Sequence, residues 1–202
     1  MADTRRIVNA LVKRHDLGES EASGYLQLAH ECFAQPFSED KLAGVLLLAE
    51  HGLATLRIEH VDALAQPLAE GFIADWNVCD WYCVKTLGPF VTMGPDVESR
   101  ARAIASWVTA PALWQRRAGV VAFVNHAATE PELFTGFTDL LIEICEVNAG
   151  DQARWSQTSV GWLLRELSRR RPTLVHDFIA SEPQLSSEAR RNAIKYLDSD
   201  PQ

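Results

Sequence analysis

"SEDKLAGVLLLAEH", residues 38–51, decides the fold class. Ser38 stands where a helix start signal belongs, directly before a run that turns apolar. That run, "LAGVLLLA", stops at Glu50 and His51. It is the longest in the chain and falls well short of the roughly 18–20 apolar residues a membrane span needs. A water-soluble helix over 38–53 is expected. The same helical spacing continues in both directions, and no convincing strand-turn-strand alternation interrupts it. Helices are expected at 3–14, 19–33, 38–53, 57–73, 76–92, 96–109, 112–127, 133–148, 152–170, 173–181 and 186–198. Asp75 and Asp96 supply further start signals, and Gly and Pro fall mostly between the segments, as at 87–95, 110–111, 130–131 and 148–150. Helices joined by short breaks and pairing about every 35–40 residues predict an all-α solenoid of stacked antiparallel hairpins, with a plain helical bundle as the alternative. One domain over 1–202 is expected, since nothing resembles a linker.

The totals narrow the function classes. Of the 202 residues, 47% are hydrophobic and 23% charged, a globular composition. "MADTRRIVNA" lacks the apolar stretch of a signal peptide, so a cytoplasmic location is expected. Four scattered cysteines read as small buried hydrophobes rather than a disulfide framework. The net charge of −8 is carried by residues 1–99, with 7 Lys+Arg against 15 Asp+Glu; residues 100–202 balance 12 against 12, and 11 of those cations are Arg. Overall acidity argues against indiscriminate nucleic-acid binding yet allows a local basic groove, for which Arg is the better phosphate ligand. P-loop, GxGxxG, HExxH and GxSxG motifs are absent. The six histidines lack metal-ligand spacing, and four lysines offer no clear Schiff-base setting.

Three short constellations remain. In "DWNVCDW" (75–81), Asp75 suits a helix cap, while Trp76 and Asp80, four apart, share a face. Trp81, turned about 100° from Asp80, is expected to point inward with Val84. The bland alternative for Trp76 and Asp80 is an exposed Trp beside an Asp salt-bridged to an Arg. In "RWSQTSVGWLLRELSRRRP" (154–172), Trp155 and Trp162 share a face two turns apart, and Gly161 permits a backbone or a ligand to come close. Arg165 and the Arg run at 169–171 suit the end of a helix. In "PALWQRRAGVVAFV" (111–124), Trp114 and Arg117 share a face, Arg116 points elsewhere, and Val120, Val121 and Val124 belong to the core.

Together, "WNVCD" (76–80), "WQRRAGV" (114–120), "QTSVGWLLRELSRRRP" (157–172) and "LSSEARRNAIKYL" (185–197) resemble the DNA alkylation repair glycosylases built from HEAT-like repeats, the AlkD-like family. The resemblance implies a curved all-α solenoid that takes duplex DNA on its concave face and releases positively charged alkylated purines, such as N3-methyladenine and N7-methylguanine. By the same resemblance Asp80 matches the catalytic carboxylate, Trp76 and Trp162 the aromatics that hold the lesion's deoxyribose, and Arg117 a phosphate-contacting arginine; Arg154 and Arg165 are expected beside it as further DNA contacts. No metal or organic cofactor is required, and a monomer is expected. The family carries extra helices before the point where "DTRRIVNALVKRH" begins, so one wall of the DNA cleft is expected to be incomplete here.

The residue types make chemical sense of that assignment. N-alkylation puts a positive charge on the purine, so the base leaves neutral with little need of a general acid. The sugar left behind is cationic, and a carboxylate with indole faces around it stabilises that charge. The rival expectation is a non-catalytic helical-repeat module that binds DNA structures or a protein partner.

Overall fold

The structure, a computed structural model, describes residues 2–15, 17 and 21–197. Positions 19 and 20 of the expected helix 19–33, and position 198 of the last one, lie outside the described residues. All regular structure among the described residues is helical. α1 (Ala2–Arg14) leads into α2 (Ala22–Phe33) and α3 (Ser38–Leu47). Four more pairs follow: α4 (Val61–Ala69) with α5 (Trp76–Tyr82), which continues through a π turn (Cys83–Leu87) into a short α6 (Gly88–Thr92); α7 (Val97–Ala105) with α8 (Leu113–Val121); α9 (Phe137–Ala149) with α10 (Arg154–Leu167); and α11 (Pro172–Ser181) with α12 (Ser187–Ala193).

The packing order separates a solenoid from a bundle. α3, α5, α8, α10 and α12 each pack on the next, forming one layer, while α2, α4, α7 and α9 form a second. Contact is passed from one pair to its neighbour, which is how stacked repeats bury their apolar faces. The chain is an all-α solenoid of helical pairs. Every residue proposed for chemistry lies on the α5–α8–α10 layer.

α5 shows how local sequence sets this up. Its seven residues are too few to be stable alone. Asp75 caps it, the Oδ1 atom accepting from the Val78 N–H at 3.0 Å. A stripe of Val78, Cys79, Tyr82 and Cys83 is fully buried, which leaves Trp76 and Asp80 on the other side. Gly161 has the close neighbour expected of it: a Cβ there would lie 2.6 Å from the Ala189 carbonyl oxygen, so α10 and α12 meet backbone to backbone. Cys79, Cys83 and Cys145 are buried and Cys32 half-buried, all as free thiols. Val120, Val121 and Val124 are core residues.

Several boundaries differ from the expected ones. The helix expected over 57–73 opens with a 3₁₀ turn at Ile58–His60, and α4 then ends at Ala69 before Gly71 reverses the chain at φ 76°. α9 starts at Phe137 rather than 133, because Gly136 takes the left-handed conformation at its N-cap. Residues 76–92 stay helical through Gly88–Pro89; the wider π turn just before them accommodates the ring that would collide with a regular preceding turn. Ser38 and Asp96 do not cap through their side chains. At the first of these sites Lys41 Nζ instead ties down the end of α2, donating to the carbonyls of Phe33 and Phe72 at 2.6 Å each.

Candidate active site

Asp80 and Arg117, 37 residues apart, meet across α5 and α8 in a two-point ion pair. Arg117 Nε donates to Asp80 Oδ1 at 2.8 Å and Nη2 to Oδ2 at 2.9 Å. The Arg117 side chain is 5% exposed and that of Asp80 15%. Arg117 Nη1 reaches α10, donating to the Trp155 carbonyl at 2.7 Å and to Thr158 Oγ1 at 3.2 Å. Burial, the largest influence, raises the Asp80 pKa above its ordinary 3.8; the Arg117 hydrogen bonds and charge pull against it, and the net direction is up. Burial works to lower the Arg117 pKa, but the Asp80 carboxylate reverses it and the guanidinium pKa is raised.

This geometry corrects the role expected of Arg117. A guanidinium that is buried and bonded to a carboxylate, a carbonyl and a hydroxyl presents no fork to a DNA phosphate. Its cation–π neighbour is Trp155, 5.7 Å away, rather than Trp114. Asp80 is salt-bridged as the bland alternative foresaw, yet the carboxylate keeps an exposed edge.

That edge opens into a pocket of about 150 Å³ lined by Asp80, Trp81, Val84, Lys85 and Trp162. Asp80 and Trp162 both line this pocket. Trp81 and Val84 were expected in the core; both are only half-buried and form pocket wall. The core side of α5 is filled by Val78, Cys79, Tyr82 and Cys83, which leaves no inward direction for Trp81.

Trp76, one turn before Asp80 on α5, is 52% exposed and is not among the residues that line this pocket. Its indole stacks with Trp155, centroids 6.5 Å apart and planes at 20°, and Trp155 in turn meets Trp114 at 6.0 Å. Trp155 is therefore the middle of an aromatic row that crosses α5, α8 and α10. Spacing put Trp155 and Trp162 on one face, but they serve different neighbours: Trp155 joins the row, and Trp162 joins the pocket.

Arg116, Arg154, Arg165 and the arginines at 169–171 are paired with acids. Arg154 stacks over Trp155 at 4.4 Å and holds Glu188 of α12 with two hydrogen bonds, at 2.8 and 2.7 Å. Arg165 donates to Glu166 and to Asn192 Oδ1, within 5.9 Å of Trp162 and 5.5 Å of Tyr196. Arg116 points away, as expected, to Asp151 at 2.8 Å. The Arg run at 169–171 ends in ion pairs with Glu130, Glu132 and Glu166. Among the described residues no cluster of His, Cys, Asp or Glu could hold a metal ion, and no helix is long and apolar enough to cross a membrane.

The model of one family, described as the DNA alkylation repair enzyme, matches residues 1–197. The chain belongs to that family. A predicted DNA alkylation repair enzyme from Enterococcus faecalis has a similar structure, with a TM-score of 0.76 at 20% identity over 95% of this chain and 85% of that one. A designed armadillo repeat protein in complex with a peptide also aligns, with a TM-score of 0.43 at 13% identity over 94% of this chain and 91% of that one. No protein in the curated set matches. Membership of the DNA alkylation repair enzyme family gives the chain a role in DNA repair. Sequence reading left Trp81 and Lys85 out of this pocket and left Trp155 open between core and cleft edge; the four-residue step from Trp81 to Lys85 was the one available signal.

Proposed function

We propose that the chain is a monofunctional DNA glycosylase that excises positively charged alkylated purines, N3-methyladenine and N7-methylguanine among them, from duplex DNA. The observation that carries the reading is the Asp80 carboxylate, held by Arg117 with one edge open to a pocket it shares with Trp162. The N-glycosidic bond breaks with its electron pair going to the purine nitrogen, which discharges the alkylated ring. The positive charge moves to the sugar. Asp80 faces it across the pocket, and the indole of the pocket-lining Trp162 offers a negative π surface beside it, with Trp76 proposed for the same role from one turn earlier on α5. A water positioned by the carboxylate adds its oxygen to C1′, and its proton passes through Asp80 to solvent. Arg117 is a positioning residue here: its fork fixes the plane of the carboxylate.

One preorganised electrostatic contact of this kind contributes about 3–4 kcal/mol, or 10²–10³-fold in rate. In a base-release assay on methylated duplex DNA, Asp80→Asn is expected to be slower than the unaltered protein by at least about 10²-fold. Circular dichroism checks that the variant is folded, since Arg117 loses its counter-charge. Unaltered rates in a folded Asp80→Asn would overturn the assignment.

One observation favours a second reading, a non-catalytic module for DNA structures or a protein partner. Arg117, Arg154 and Arg165 are each matched by an acidic side chain, which lowers the positive potential of this face. Absence of base release by the folded protein, with salt-sensitive duplex binding retained, would select it.

A further inference from the structure

Arg117 is spent on Asp80, so a nucleotide that places its sugar beside that carboxylate needs another cation for its phosphate. The pocket contains one. Lys85 lies on its wall with Asp80, Trp81, Val84 and Trp162. Its side chain is exposed, and among the described residues no carboxylate lies within ion-pair distance of it. The contact it makes is with the Trp81 ring, 5.4 Å from the centroid, which steers the ammonium along the pocket wall. Lys85 sits within the π turn over Cys83–Leu87, four residues after Trp81, and lines the pocket with it.

We propose that Lys85 binds the phosphodiester of the nucleotide whose sugar occupies this pocket, with Trp81 as the surface that aims it. The inference rests on the glycosylase reading for the identity of the nucleotide and deepens it by naming the phosphate contact. It also accounts for an otherwise adverse charge. A bare ammonium next to a developing sugar cation would raise the barrier, whereas an ammonium paired with a phosphate is neutralised and fixes the distance from backbone to carboxylate. Seating the phosphate thus becomes a condition for chemistry.

The test is a salt titration of binding to duplex DNA carrying a tetrahydrofuran abasic analogue, which offers the phosphates without a cleavable bond. Lys85→Gln is expected to weaken binding at low salt and to reduce the slope of log K against log [salt] by about 0.9, the release expected for one phosphate contact. Lys85→Arg is expected to recover most of that slope, which a role confined to packing on Trp81 would not require. An unchanged slope in a folded Lys85→Gln would overturn the inference, as would failure of the unaltered protein to bind the duplex. Base release from methylated duplex, measured in parallel, separates the two readings. A reduced slope without release by the unaltered protein keeps the Lys85 contact and removes the glycosylase. Release with an unchanged slope does the reverse.

Discussion

The Asp80–Arg117 and Arg154–Glu188 pairs are built alike, each with two hydrogen bonds between a guanidinium and a carboxylate at 2.7–2.9 Å. Their surroundings differ. Side-chain exposure is 15% for Asp80 and 5% for Arg117, against 61% for Arg154 and 44% for Glu188. Water screens the outer pair, which adds little to stability and exchanges partners easily. The inner pair is desolvated, and breaking it strands a charge. The same drawing therefore describes a fixed support at one end of the site and an exchangeable one at the other. In the proposed enzyme, Arg117 holds the catalyst while Arg154 is free to trade Glu188 for a phosphate.

That contrast can be broken from either side. Arg117→Ala strands the Asp80 carboxylate and is expected to destabilise the fold by about 3–5 kcal/mol in urea denaturation; a loss below about 1 kcal/mol would place this pair with the surface ones. The pH dependence sharpens the same point. In the proposed reaction base release needs the ionised carboxylate, and the Asp80 pKa is raised above 3.8 by burial. Activity is therefore expected to fall with decreasing pH through a value above that of an ordinary aspartate. Because the folded pKa is raised, ionising Asp80 takes stability away as pH climbs from 3.8 through the folded value, so the group favours folding only on the acid side. A single-turnover pH–rate profile locates the acid limb, and a limb at or below 3.8 contradicts the burial argument. The smallest effect belongs to the outer pair. Glu188→Gln is expected to leave the melting temperature nearly unchanged while tightening duplex binding and steepening its salt slope by about 0.9, as Arg154 becomes available. Weaker binding by this variant would mean that Glu188 orients Arg154 rather than competing for it.

The same two pairs show what a sequence can disclose. Periodicity was enough for the helices, for Asp75 as a cap, and for Gly161 as a point of close approach, because each depends on neighbours within a turn or on a missing Cβ. Resemblance singled out Asp80 and Trp162, and both line the pocket beside the Arg117 fork. What escaped depends on partners far along the chain. Nothing in the spacing around Arg117 says that its fork closes on a residue 37 positions earlier. Trp81 was assigned inward by rotation from Asp80, but the direction of the core was already taken by Tyr82 and Cys83, and the π turn that follows alters the phase of the helix. Trp155 could be placed only once α5 and α8 supplied Trp76 and Trp114 on either side.

Arg117 bonds at once to α5 through Asp80 and to α10 through Trp155 and Thr158, from its own place on α8. A stack of repeats bends like an elastic rod, with its compliance spread over the contacts between neighbours. Three consecutive helices of one layer are thus joined at a single planar group. Any load that changes the angle between them stretches bonds at opposite ends of that group and rotates the carboxylate it grips. In the proposed enzyme, curvature that a bound duplex imposed on the rod would be transmitted to the orientation of Asp80, and turnover would then depend on the stiffness of the stack.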